Sequence, residues 1–184
     1  MHLIHRGILK KSYKENTLNS FKLSFEKGYG IETDIHATKD LKFVCFHDFT
    51  LNRTFKIKRS IKSLDYQNLK KISKNKKTKI PLLKDLLKLS KNKYYLFIEI
   101  KPLFSKKLLK KLIKETSKFK KCVFISFKEK NIYNLLKIKK NINVGLSFAP
   151  STSIKTIIKK SKNKNVSFLI LDKYFINSKK IQEI

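Results

Sequence analysis

The segment Ile31-Glu32-Thr33-Asp34-Ile35-His36 puts Glu32, Asp34 and His36 on one face of a strand and Ile31, Thr33 and Ile35 on the other, because side chains along a strand alternate. One face asks for a core; the other carries charge. On a half-exposed sheet the polar face is simply solvated, so the neighbouring segments decide. Phe43-Val44-Cys45-Phe46-His47-Asp48 and Tyr94-Tyr95-Leu96-Phe97-Ile98-Glu99-Ile100-Lys101 are nearly continuous apolar runs, the pattern of strands buried on both faces. Each holds its ionisable groups at its C-terminal end, and so does Leu3-Ile4-His5-Arg6-Gly7. Read as four consecutive parallel strands, these segments deliver His5, Glu32 with Asp34, His47 and Glu99 to one sheet edge, the edge where α/β folds build their sites.

Outward from that segment, short β-rich runs alternate with longer amphipathic stretches, which predicts repeated βα units in an α/β fold. Seven strands are expected, at Leu3-Arg6, Gly30-Ala37, Phe43-His47, Tyr94-Lys101, Cys122-Phe127, Asn143-Phe148 and Val166-Leu171. Helices are expected at Thr17-Lys27, Leu64-Ile72, Leu82-Leu89, Ser105-Phe119, Glu129-Lys139 and Ile154-Ser161, with a last one from about Ser178. The Lys-rich stretch Lys70-Lys79 has no apolar period and reads as an exposed loop. A chain of 184 residues with a 41% hydrophobic fraction makes one domain with a real core.

The charge is extreme, +32, but says little about chemistry. Forty-two of the 45 basic residues are Lys and only Arg6, Arg53 and Arg59 are Arg, whereas surfaces that read bases or clamp phosphates favour the bidentate Arg fork. Lys, Ile and Asn abound together, as AT-rich codons produce. In the Ser105-Phe119 segment Leu108, Leu109, Leu112 and Ile113 form one stripe and Lys fills most of the rest, a helix lying on a sheet with Lys facing water. Residues 1–48 carry only +2, which leaves +30 for residues 49–184. No specific nucleic-acid partner is expected; a non-catalytic, Lys-rich polyanion-binding protein is the alternative outside enzymes, and weak contact with an anionic membrane surface fits the same charge. Cys45 and Cys122 lie in apolar runs and suggest neither a disulfide framework nor a zinc module. The first residues show no leader pattern and no apolar run nears the roughly 20 residues of a membrane span, so the expected compartment is the cytoplasm.

Three carboxylates converging on one pocket repel one another by about 2–3 kcal/mol per pair at about 6 Å and an effective dielectric of about 20. They need protons, basic partners or a cation to coexist. Oxygen ligands of this kind suit a hard divalent ion, Mg²⁺ or Ca²⁺, and Glu32, Asp34 and Glu99 are assigned to it. His5 and His47 remain for proton transfer as general base and general acid, and Arg6 and Lys101, at the same strand ends, can hold a phosphate oxygen. His36 reads either as a partner of the site or as a buried polar group, and Glu15 and Asn16 as caps of the Thr17 helix or braces for Arg6.

His5-Arg6-Gly7, Glu15-Asn16-Thr17, the run from Glu32 to Asp40, His47-Asp48 with Leu51-Asn52-Arg53-Thr54, Ile80-Pro81-Leu82 and Glu99-Ile100-Lys101 together, in that order, resemble the motifs of the glycerophosphodiester phosphodiesterase family. The resemblance implies a TIM-like (β/α) barrel of parallel strands, metal carboxylates at Glu32, Asp34 and Glu99, and an acid/base pair at His5 and His47. It also implies a small-molecule glycerophosphodiester substrate, cleaved to glycerol 3-phosphate and an alcohol; lysophospholipase D and phospholipase C-like activities are the neighbouring alternatives. A full barrel of this kind takes about 250 residues. The family usually ends on a strand with a Trp-Thr-Val-Asn-like motif, and this sequence has no Trp, so the barrel is expected to lack its last βα unit and to present an open edge that an oligomer would cover.

Overall fold

A computed structural model describes residues 2–75 and 78–183. Its strands are β1 (Leu3–His5), β2 (Gly30–Ala37), β3 (Phe43–Cys45), β4 (Leu96–Ile100), β5 (Cys122–Ser126), β6 (Val144–Ser147) and β7 (Phe168–Ile170). Its α-helices are α1 (Leu18–Glu26), α2 (Asn52–Phe55), α3 (Tyr66–Asn75), α4 (Leu83–Ser90), α5 (Lys106–Thr116), α6 (Glu129–Ile138), α7 (Ile154–Ser161) and α8 (Lys179–Gln182). The sheet runs β1-β2-β4-β5-β6-β7, every pair on this path parallel, and leaves β1 and β7 as its edges. No helix among the described residues is long and apolar enough to cross a membrane.

Strand periodicity sorts the two faces of the sheet. Ile31, Ile35, Leu96, Ile98, Ile100 and Phe124 point outward and join Phe21, Leu86, Leu109, Leu112, Ile132 and Ile157 of the helices in the main core. Phe97, Val123 and Ile125 point inward, where Leu3, Phe168 and Ile170 pack on them. Phe97 of β4 and Phe168 of β7 have ring centroids 5.0 Å apart although β5 and β6 lie between those strands. A flat sheet sets strands three places apart at about 14 Å, so this one is curled around its inner cluster.

Two expectations are corrected. The run Phe43-His47 is not a barrel strand: β3 stops at Cys45 and pairs antiparallel with β2, Ala37 opposite Phe43 and Ile35 opposite Cys45. The reason is the length of the connection. A parallel crossover takes a dozen or more residues, and the segment from Thr38 to Lys42 allows only a tight hairpin, closed by Thr38 N–H donating to Lys42 O at 2.9 Å. Six parallel strands therefore stand where seven strands of one direction were expected. The Lys70-Lys79 stretch is not all loop either, since α3 runs on to Asn75; residues 76 and 77 lie outside the described residues. Lys favours helix, and Leu69, Ile72 and Ser73 give that helix a face against a satellite core of Val44, Phe46, Leu51, Phe55, Ile61, Leu64, Ile80 and Leu82. This satellite core carries the chain from β3 to the site.

Candidate active site

Register explains how the carboxylates meet. Asp34 and Glu99 are direct cross-strand partners between β2 and β4, and Glu32 is the partner of His5 between β2 and β1. One carboxylate oxygen from each of Glu32, Asp34 and Glu99 lies within 4.8 Å of the others. Asp34 and Glu99 are buried, and Glu32 Oε1, Glu32 Oε2 and Asp34 Oδ1 are buried atoms that receive no hydrogen bond. Burial, then the charges of Asp34 and Glu99, push the Glu32 carboxyl well above the usual range against the pull of Arg6 and Lys101; Glu99 is raised too, by burial. Orphaned, closely spaced oxygens of this kind are a donor set that fits a hard divalent cation.

Two cations hold the cluster. Lys101 Nζ lies 3.0 Å from Glu99 Oε1 and 3.4 Å from Asp34 Oδ1, and Arg6 Nε lies 3.3 Å from Asp34 Oδ2. The turn that presents Arg6 is strained: Arg6 has φ 58° and Asn16, whose N–H donates to Arg6 O, has φ 53°. Gly7 follows at φ 80°, and a Cβ there would meet Ser20 Oγ at 2.7 Å, so the turn sits hard against α1. Asn16 is the residue beside the cluster whose task the sequence left undecided. Its Nδ2 donates to Asp34 Oδ2 at 3.0 Å and its Oδ1 accepts from Thr33 Oγ1 at 2.7 Å, which fixes the Asp34 carboxylate. The cap of α1 is Thr17 with Ser20, not Glu15 or Asn16. Nothing in local spacing signals a contact from a loop to a strand 18 residues away.

His47 reaches the site from above, down the antiparallel β3 hairpin; Phe46 N–H donates to Asp34 O at 2.9 Å and anchors the descent. His47 Nδ1 donates to Asp48 Oδ1 at 2.6 Å, and Arg53 Nε donates to Asp48 Oδ2 at 2.6 Å. Arg53 also donates through Nη2 to Glu15, whose other oxygen accepts from Arg6 Nη1 at 3.2 Å. A continuous chain of charge thus links His47 to Asp34. Nδ1 is thus the His47 ring nitrogen that Asp48 engages, and Nε2 is the other. His36 is buried and donates from Nε2 to His47 O at 3.2 Å; burial pushes it down to about 4, so it is neutral and steadies the His47 backbone. His5 lies on the other side of the cluster, mostly exposed, its Nε2 3.7 Å from Glu32 Oε2. Partial burial and the Arg6 charge lower it. Cys45, beneath, is buried and its thiol is pushed up to about 12, which makes it inert. Beside His47 opens a cleft of about 520 Å³, walled by the loop from Leu9 to Thr17 on one side and by Cys45, Phe46, Arg53, Thr54 and Thr78–Ile80 on the other.

Residues 5–177 match the model of the Glycerophosphoryl diester phosphodiesterase family, which takes in all seven of the residues singled out from the sequence, from His5 to Lys101. The chain belongs to this family. A glycerophosphodiester phosphodiesterase of Caldanaerobacter subterraneus subsp. tengcongensis is 31% identical to it, the match covering 79% of this chain and 65% of the relative. One from Bacillus altitudinis is 35% identical over 53% of this chain and 43% of its own length. The chain thus spans less than two thirds of either relative. The crystal structure of the Thermotoga maritima glycerophosphodiester phosphodiesterase superposes with a TM-score of 0.76 at 27% identity, covering 92% of this chain and 72% of that one. An Oleispira antarctica phosphodiesterase, solved with sn-glycerol-3-phosphate as product, superposes at 0.78 over 92% of this chain and 73% of its own, a likeness of fold at 21% identity. The fold is the family's TIM-like (β/α) barrel of parallel strands, present here as an open half-barrel.

Proposed function

We propose that this chain is a divalent-cation-dependent phosphoric diester hydrolase that cleaves glycerophosphodiesters to glycerol 3-phosphate and an alcohol. The observation that carries the reading is the cluster of Glu32, Asp34 and Glu99, with three buried oxygens that receive no hydrogen bond and a histidine on either side. Family membership and the product complex of the Oleispira antarctica relative support it. Glu32, Asp34 and Glu99 hold the ion, Mg²⁺ or Ca²⁺, which when bound supplies Lewis acidity to a nonbridging phosphate oxygen.

The chain's own groups do the rest. Arg6 and Lys101, already beside the carboxylates, offer donors to the phosphate oxygens. One imidazole takes the proton of the attacking hydroxyl while the other protonates the departing alcohol oxygen, so no alkoxide is released. Asp48 fixes the tautomer and orientation of the His47 ring, the part a carboxylate plays behind a catalytic histidine. Where the attacking group is the glycerol 2-hydroxyl, the product is a cyclic phosphate that water opens with the two histidines exchanging roles; attack by water gives the same final products in one step.

The test is release of glycerol 3-phosphate from glycerophosphoglycerol by the intact chain, with and without chelator, for the wild type, His47→Ala and Glu32→Ala. Chelation is expected to abolish turnover and each substitution to reduce it by about 10²–10⁴. Activity indifferent to all three changes overturns the mechanism.

A further inference from the structure

The cleft beside His47 is joined to the carboxylate cluster through its lining residues Asn16, which holds Asp34, and Glu15, His47 and Arg53 of the charged chain that ends on Arg6. A diester whose phosphorus sat at Arg6 and Lys101 with its glycerol toward the carboxylates would have this cleft, which His47 also lines, for its other arm. The cleft is therefore the place to read the chemistry of the leaving alcohol, an inference that rests on the reading just proposed.

Its lining is one-sided in charge. Lys10 and Lys14 come from the loop after β1 and Lys79 from the far wall before Ile80, so lysines of two separate segments line one concavity. A tight turn holds the first wall: Lys10 N–H donates to Tyr13 O at 3.2 Å and Tyr13 N–H to Lys10 O at 3.0 Å. Among the described residues no ion pair occupies Lys10, Lys14 or Lys79. The one carboxylate in the lining, Glu15, is held by Arg6 and Arg53. Lys is abundant on every surface of this chain, so abundance argues nothing; a concave, like-charged wall next to the proton-transfer group does, because a cleft focuses its field on whatever enters. A quaternary ammonium has neither a free carboxylate nor an aromatic cage to meet there, only Tyr13 and Phe46 among three lysines. We infer that this site selects diesters whose leaving alcohol bears an anionic group, a phosphate or a carboxylate, and disfavours the choline and ethanolamine class.

The experiment compares three diesters that differ in the alcohol alone, namely choline, glycerol and glycerol carrying a terminal phosphate. Consumption is followed by ³¹P NMR, and binding to the metal-loaded chain by calorimetry, at low and high salt. Selectivity, as kcat/KM, is expected to rise in that order by about tenfold or more from first to last and to shrink with added salt. The combined variant Lys10→Gln, Lys14→Gln, Lys79→Gln is expected to bring the ratio to about one. A wild type that uses the choline diester as well as the phosphorylated one, or a ratio that survives the triple variant, overturns the inference and leaves the hydrolase reading intact. Binding that keeps the order and its lysine dependence without turnover of any diester overturns the hydrolase reading and upholds anion selection.

Discussion

Strands β4 and β7 belong to one sheet and live under opposite conditions. Leu96–Ile100 of β4 is buried along its whole length, flanked by β2 and β5, with five registered partners on β2. Phe168–Ile170 of β7 is half-buried throughout and, among the described residues, has a sheet neighbour on one side only. The charged groups follow the first condition: Asp34 and Glu99 sit on the pair of strands with five registered partners, while β7 contributes apolar side chains alone. Chemistry and closure are thus borne by different parts of the half-barrel. The comparison predicts that truncating a central strand damages the whole molecule. Phe124→Ala, in the middle of β5 with 2% exposure, is expected to cost about 3–5 kcal/mol in urea denaturation. A cost below about 1 kcal/mol would place β5 with the edge and dissolve the contrast.

The supported side also holds a titratable group with no net charge at neutral pH. His36 sits down at about 4 in the fold against 6.5 in an unfolded chain, burial being the main cause. As the pH falls, the unfolded state therefore takes up its proton first. The contribution of this residue is fully present above about pH 6.5 and is lost progressively between 6.5 and 4. The difference in denaturation midpoint between wild type and His36→Asn should accordingly narrow as pH falls through that window; a difference that stays constant with pH breaks the assignment.

Much of this was legible in the sequence because strand chemistry is local. Period two put Glu32, Asp34 and His36 on one face before any fold was known, and the apolar run ending in Glu99-Ile100-Lys101 located β4 within two residues. The direction of β3 was legible too, had the five-residue connection from Thr38 to Lys42 been weighed against the length of a parallel crossover. What could not be read was contact between loops distant in sequence. Asn16 on Asp34, and Arg53 across Asp48 and Glu15, depend on how the turn after β1 and the segment after β3 fold over the strand ends. Only the assembled barrel end brings them together.

Composition nevertheless holds a trace of that assembly. Among 42 Lys and 3 Arg, two of the arginines, Arg6 and Arg53, stand on either side of Glu15. Arg53 donates from Nε to Asp48 and from Nη2 to Glu15, two nitrogens of one planar fork; a lysine would have to serve both carboxylates from a single point and could not reproduce that geometry. Arg53→Lys keeps the charge and should still lower kcat about tenfold, because Asp48 loses the partner that aims it at His47. The pair is partly exposed, so the melting temperature should move by less than about 3 °C. Equal losses of kcat and of stability would make Arg53 a scaffold residue and move the boundary between chemistry and support.

The smallest effect is expected at the edge. Phe168 packs edge-on against Phe97, but it is half-buried and, among the described residues, its strand has a sheet neighbour on one side only, so the ring is partly open to water. Phe168→Ala removes little transfer free energy and leaves a hollow that solvent can fill, and is expected to cost about 1 kcal/mol against the 3–5 of Phe124→Ala. The inner cluster meets the carboxylates through register, since Phe97 is the cross-strand partner of Glu32. If the edge does nothing but pack, Phe168→Ala leaves cation affinity unchanged, measured by calorimetry with Mg²⁺ or Ca²⁺. A loss of affinity at so small a loss of stability would mean that the β7 edge presses on Glu32 through Phe97, and that closure and chemistry are coupled after all.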